Sequence, residues 1–349
     1  MKDFTSEKGL QFRYILRDIA KGRHGARNLS REEARDALLF LFSPEADGAQ
    51  VGAFLTAMRF KSATLEEYLG FFDAIYATSD SIAPRVPNLV NANGPYDGRK
   101  HFLQLSPAFA ILASAAGVPM LLHSSDDLPP KHGVTSGQVL EALGIPAYQE
   151  PARVQRNIEE LGFGFLHARV YCHGIERLRP VRQLLFYRSL LHSCEVMINP
   201  GGAKRSLVGA AHGKFLRKFL DVQVAQGAEH VLAVQGLDGT DELPLQAVAA
   251  VEYCGGQLED MTLSPSDYGL QEREPLPCRS PEDTAQLVRA AFCDESDELK
   301  DSLIYNGGIR IYLGGKADTI ASGIAMAREA LESGAALRQL QCLRGATAD

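Results

Sequence analysis

The chain has 349 residues, 45% of them hydrophobic and 23% charged, with a formal net charge of −7. That length allows about two domains and a large core, and the composition excludes a disordered, collagen-like or coiled-coil protein. The charge is uneven: residues 252 to 301 hold 13 Asp/Glu against 4 Lys/Arg, which leaves the remainder at about +2, so the acidic total does not exclude nucleic acid.

The N-terminus, Met1-Lys2-Asp3-Phe4-Thr5-Ser6-Glu7-Lys8, is polar and lacks the apolar stretch of a secretory leader. The longest apolar runs, Phe109 to Gly117 and Val118 to Leu122, are broken by Ser114 and Pro119 and fall short of the roughly 18 to 20 residues of a membrane span. A cytoplasmic location without a membrane partner is expected. The cysteines, at 172, 194, 254, 278, 293 and 342, form no Cys-x-x-Cys and read as reduced thiols.

Residues 8 to 80 read as helices. Arg13, Arg17 and Lys21 recur at i, i+4 and i+8, which would line them up on one helical face as a basic stripe or a solvated surface. Ser30-Arg31-Glu32-Glu33 and Thr64-Leu65-Glu66-Glu67 have the capping-box pattern that starts helices. Gln50 to Arg59 places Val51, Phe54, Leu55 and Met58 on one face, so a helical subdomain that also supplies a dimer contact is expected.

Strands then alternate with helices. Pro87 to Asn91, Val118 to His123, Phe163 to Leu166, Glu195 to Asn199 and Glu229 to Gln235 are expected strands. Pro107 to Ala116, Ser136 to Leu143, Pro151 to Leu161, Lys214 to Gln226, Pro281 to Ala291 and Ala317 to Ala336 are expected helices. The pattern is α/β, with a mainly parallel sheet covered on both faces.

Ligands of such sheets gather at the carboxyl ends of strands. The loop Asn93-Gly94-Pro95-Tyr96-Asp97-Gly98-Arg99-Lys100-His101 offers glycines and cations to a phosphate, although Pro95 has no amide to donate. A polar turn explains the same residues. Lys131, Thr135 and Ser136 precede a helix N-terminus and suit a phosphate, or one hydroxyl simply caps the helix. Asp238, Asp241 and Glu242 form a hard-oxygen group of the kind Mg2+ accepts, or a solvated acidic turn.

Several segments together resemble the anthranilate phosphoribosyltransferase family. They are Gln50 to Arg59 with Lys61, Thr64 and Glu67; Pro180-Val181-Arg182 with Ile198-Asn199-Pro200; Asp238-Gly239-Thr240-Asp241-Glu242; and Asn306 with Gly314-Gly315-Lys316-Ala317-Asp318. The resemblance implies a helical domain over residues 1–85, joined by helices from about 170–192, and an α/β phosphoribosyltransferase-like domain over 86–349. It also implies a homodimer through the N-terminal helices, Arg182 and His123 facing the acceptor, Asp241 and Glu242 holding Mg2+, and Ser106 near the diphosphate of phosphoribosyl diphosphate.

The family's Gly-Thr-Gly-Gly-Asp loop is replaced by Asn93-Gly94-Pro95-Tyr96-Asp97-Gly98, and of its Lys-His-Gly-Asn stretch only His123 remains. The loop resembles that of a divergent branch with Tyr96-Asp97-Gly98-Arg99, a branch not expected to use anthranilate and associated with nucleic acid. Of three functions the first is expected, the second is its alternative, and the third ranks last. The first is Mg2+-dependent transfer or binding of a phosphorylated ribose, with side-chain cations Arg99, Lys100 and Lys131 in place of the loop. The second is a non-catalytic homodimeric nucleic-acid binder using Arg13, Arg17 and Lys21, with Lys204, Arg205, Lys214, Arg217 and Lys218. Nucleoside phosphorolysis is the third.

Overall fold

The computed structural model describes residues 6–346 apart from 23 and 95. Pro95 and the first five residues, named above, lie outside the described residues.

Four helices open the chain: α1 (Glu7–Ile19), α2 (Arg31–Phe42), α3 (Gly48–Lys61) and α4 (Leu65–Ala77). Both expected capping boxes form. Ser30 Oγ accepts from the Glu33 amide at 3.1 Å while the Glu33 carboxylate accepts from the Ser30 amide at 2.9 Å. Glu67 does more than cap: fully buried, it accepts from the Leu29 amide and from Lys61 Nζ, both at 2.7 Å, and so ties the loop before α2 and the end of α3 to α4. Helices α2 and α4 cross so closely that a Cβ on Gly70 would stand 2.1 Å from the Arg31 carbonyl oxygen.

The sheet strands are β1 (Val90–Asn93), β2 (Met120–Ser124), β3 (Phe163–His167), β4 (Arg205–Gly209), β5 (His230–Val234), β6 (Val248–Cys254) and β7 (Gln257–Leu263). Their spatial order is β3-β2-β1-β4-β5-β6-β7, parallel from β3 to β5 and antiparallel beyond. Between them run α5 (Ser106–Ala115), α6 (Ser136–Leu143), α7 (Pro151–Leu161), α8 (Ala168–Tyr171), α9 (His173–Arg177), α10 (Arg179–Leu185), α11 (Leu190–Glu195) and α12 (Leu216–Ala225). After them come α13 (Pro281–Phe292), α14 (Lys300–Leu313), α15 (Ile320–Glu332) and α16 (Ala335–Gly345). Alternate strand residues enter different cores: Val208, Val231 and Ala233 on one face, Leu207, Leu232 and Val234 on the other. Helices α9, α10 and α11 pack against α2, α3 and α4.

Three expectations change. The apolar run after Glu195 is no strand; Glu195 ends α11 and Val196, Met197 and Ile198 are buried in the turn that follows. Short apolar runs bury equally well in either conformation. The long C-terminal helix is two, α15 and α16, separated at Gly334, whose φ of +72° is left-handed. The β6–β7 hairpin and α14 were not anticipated, although Gly255-Gly256 between β6 and β7 is a strong two-residue hairpin signal.

Candidate functional site

The two loops expected to cradle phosphate are locked to each other. The Arg99 amide donates to the Val134 carbonyl at 2.9 Å, the Val134 amide to Arg99 at 2.8 Å, and the Gly133 amide to Asp97 at 3.0 Å. Gly98 has φ +69°, and a Cβ there would meet the Gly133 carbonyl oxygen at 2.4 Å, so this glycine serves loop-to-loop packing. A Cβ on Gly94 would meet Thr240 Cγ2 at 2.9 Å, and Asn93 Oδ1 accepts from the His123 amide at 2.7 Å. Asn93, Gly94 and Gly98 are thus engaged within the fold. So are Thr135 and Ser136: Thr135 caps α6, and buried Ser136 accepts from Gln104 Nε2 at 2.7 Å. Lys131 donates to the Asp238 carbonyl at 3.1 Å with its charge 3.8 Å from Asp97, and Lys100 points into solvent.

The sequence does bring Arg99, Ser106, Asp241 and Glu242 together, but into a closed cluster. Ser106 Oγ lies 2.8 Å from Asp241 Oδ1 and 3.0 Å from Glu242 Oε1, and the Ser106 amide donates to Glu242 at 3.0 Å. Arg99 places Nη2 at 3.1 Å from Glu242 Oε2 and donates to Thr240 Oγ1 at 2.7 Å. Arg310, from α14, pairs with Asp241 and donates to the Asn306 carbonyl at 3.0 Å. Both arginines and both acids are at most 1% exposed. Burial pushes the Glu242 carboxyl up, and Arg99 opposes it. This donor set, as it stands, does not fit Mg2+, which needs hard oxygens free to coordinate beside waters: Glu242 faces Arg99, Asp241 faces Arg310, and Ser106 bridges the two acids. Asp238 stands apart, facing His101 at 3.1 Å.

The expected acceptor residues are also enclosed. His123 Nε2 donates to the Ile198 carbonyl at 2.9 Å, which fixes the tautomer, so Nδ1 accepts from Tyr96 Oη at 2.7 Å; Tyr171 Oη lies 2.6 Å from Tyr96 Oη. Tyr96 and Tyr171 are fully buried, and this chain joins α8 to the tips of β1 and β2. Arg182, 3% exposed, pairs with buried Glu195 at 2.5 Å.

Burial pushes His123 down to about 4, with the Ile198 carbonyl opposing. Its unfolded value is about 6.5. Between those values the unfolded chain binds more protons, so stability rises with pH. The fold should lose about 3 kcal/mol on this account as pH falls from about 6.5 towards 4. His192, lowered by burial, acts in the same direction, while Glu195, raised by burial, acts oppositely. Urea unfolding at neutral pH and near pH 4.5 should show the fall, and His123→Asn should flatten it; an equal slope in the variant would contradict the assignment.

A large opening lies elsewhere, between the helical layer and the tips of β4 and β5. It is a cleft of about 1060 Å³, lined by Arg59, Lys61, Arg188, Lys218, His192 and His212, and by no Asp or Glu. Lys61 is neutralised by Glu67, and Arg188 reaches Asp97 at 3.4 Å. Arg59 lies over the Tyr187 ring and Lys218 over Tyr68, with centroid distances of 5.5 and 5.1 Å. Phe60, 68% exposed, and Phe215, 36% exposed, stand in the lining, and Lys214 lies over the Phe215 ring at 5.2 Å. Arg188, not Arg182, is the arginine of its stretch that reaches an opening.

Of the expected basic stripe, Arg13 and Arg17 lie on α1, but Lys21 falls beyond its end, beside lining residues Ala20 and Gly22. Arg17 and Lys21 both contact Asp18, at 3.2 and 3.1 Å, which also takes Arg27. The continuous helical row is therefore corrected to a paired surface cluster at the edge of the cleft. Arg59 and Phe60 were not connected with Arg188 because more than a hundred residues separate them from it, and only the packing of α3 against α10 and α11 joins them.

Two family models match: "Glycosyl transferase family, a/b domain" over residues 97–337 and "Glycosyl transferase family, helical bundle domain" over residues 13–79. The anthranilate phosphoribosyltransferase of Saccharophagus degradans is 33% identical, covering 90% of this chain and 94% of its own. That of Acetivibrio thermocellus is 30% identical, covering 90% and 91%. The solved structure of the Thermus thermophilus anthranilate phosphoribosyltransferase superposes with a TM-score of 0.84 at 28% identity, covering 96% and 99%. The Saccharomyces cerevisiae enzyme in complex with PRPP and Mg shares the fold, with a TM-score of 0.84 at 19% identity.

Proposed function

Because the chain belongs to the glycosyl transferase family that includes the anthranilate phosphoribosyltransferases, we propose that it uses this fold to bind nucleic acid in the cleft between the helical layer and the sheet. The observation that carries this reading is the acid-free lining with its unneutralised cations. Arg59, Lys218 and neighbouring Lys214 are the cations for phosphates, and Arg188 can exchange Asp97 for one. Exposed Phe60 and Phe215 offer rings on which unpaired bases stack, which favours a single strand. A homodimer through the N-terminal helices would double this surface; exposed Leu10 and Tyr14, on one face of α1, support such a contact.

A second reading, Mg2+-dependent phosphoribosyl transfer to an acceptor other than anthranilate, is favoured by the identity to named phosphoribosyltransferases and by the persistence of Asp241, Glu242 and Ser106 in mutual contact. It requires both guanidinium groups to leave the acids, and no step through the metal follows from the residues as they stand.

Fluorescence anisotropy with a labelled single-stranded oligonucleotide, against duplex and at several salt concentrations, tests the first reading. Four phosphate contacts predict a slope of log K on log salt of about −3 for a single strand, with duplex bound more weakly. Absence of binding at low salt, or binding insensitive to salt, would sink it.

A further inference from the structure

The acids expected to hold magnesium are neutralised from within. Asp241 and Glu242 are adjacent in sequence, buried, and bridged by Ser106 Oγ. Each faces a different arginine: Glu242 faces Arg99, from the loop after β1, and Asp241 faces Arg310, from the middle of α14. Two guanidinium groups and two carboxylates sum to zero charge. A divalent cation added to this cluster would leave a net double positive charge in a site without solvent, and the cost of such burial is severe.

We infer that Arg99 and Arg310 stand where this fold would place divalent cations, making the pocket a metal-free clasp that joins the loop after β1, the loop after β5 and α14. Arg310 is held for that role from its other side as well: its guanidinium lies 5.2 Å from the centroid of the Phe109 ring and donates to the Asn306 carbonyl. Asn306 is fixed in turn by a pair of hydrogen bonds to the backbone of Leu243, at 2.8 and 3.0 Å, next to the acids. Arg99 is anchored by its second terminal nitrogen, which donates to the Leu103 carbonyl at 3.1 Å. Neither arginine is a mobile surface cation that happens to have found an acid.

The clasp predicts a gain of function on its removal. In Arg99→Ala with Arg310→Ala, two buried carboxylates and one hydroxyl face each other without a cation, which is a donor set a divalent ion can satisfy. Manganese binding, read by loss of the free-ion electron paramagnetic resonance signal and by thermal unfolding, is the test. The wild-type protein should take up no stoichiometric Mn2+ and show no shift in its midpoint. The double variant should take up a single Mn2+ and rise in midpoint with it, and adding Asp241→Asn should abolish both effects. If the double variant folds only with Mn2+, that is the same result; if it does not fold at all, Arg99→Met with Arg310→Met, which keeps side-chain bulk but removes both cations, carries the test with the same expected uptake.

Stoichiometric Mn2+ uptake by the wild-type protein that Asp241→Asn removes would overturn the inference. So would a folded arginine variant that ignores Mn2+. Neither outcome bears on the cleft, whose occupancy is read separately with oligonucleotide.

Discussion

Changing Arg59 and Lys214 together to glutamate should remove most of the affinity for single-stranded oligonucleotide while leaving the thermal midpoint close to that of the wild-type protein. Both side chains are exposed, and among the described residues neither makes a salt bridge; Arg59 donates to the Arg188 carbonyl. Each lost phosphate contact should reduce the salt slope by about 0.7 for a single strand, so the slope should flatten by about 1.4. Arg13→Glu with Arg17→Glu, on the outward part of α1, should have a smaller effect, because Arg17 is already held by Asp18. An unchanged slope in the Arg59 and Lys214 variant would remove these residues from the ligand's path.

The second large effect is on stability. Arg182→Ala should lower the unfolding free energy by about 3 to 5 kcal/mol, because it leaves Glu195 buried without its partner. Replacing the pair together, Arg182→Met with Glu195→Leu, should recover much of that loss, since a well-packed apolar pair can equal a buried ion pair. Denaturant unfolding of the three proteins decides it. If Arg182→Ala proves neutral, Arg182 is not the structural residue that its enclosure indicates. Oligonucleotide binding by the folded double variant should be unchanged, because Arg182 does not line the cleft.

Much of the fold was legible because local chemistry and tertiary packing agree. The serine and threonine caps at Ser30, Thr64 and Thr135 start their helices where the sequence places them. Helices α6 and α7 fall on the expected residues, and the alternation of strand and helix gave the parallel sheet. The turn after Glu195 was not legible, since Val196 to Ile198 are apolar for burial against the helical layer rather than for strand pairing. Strand β4 was missed for a related reason: Arg205 at its start reads as surface, yet its guanidinium is held by the Leu313 carbonyl at 2.7 Å.

The site was legible in composition but not in state. Ser106, Asp241 and Glu242 do converge, as the family resemblance implies. What sequence spacing could not show is that Arg99 turns inward rather than towards a phosphate, or that Arg310, seventy residues beyond the acids, comes back to meet them. Tyr96, named only as a member of its loop, is the central member of a buried hydrogen-bonded chain with His123 and Tyr171. The cleft escaped notice because its cations come from α3, the segment after α10 and the start of α12, each unremarkable alone.

Closure of the pocket around Asp241 and Glu242 is tested most directly by calorimetric titration of phosphoribosyl diphosphate into the wild-type protein, with and without magnesium. With the acids held by Arg99 and Arg310 and the loop amides paired between Arg99 and Val134, the expected result is no magnesium-dependent binding. Saturable heat that requires magnesium and disappears in Asp241→Asn would contradict it.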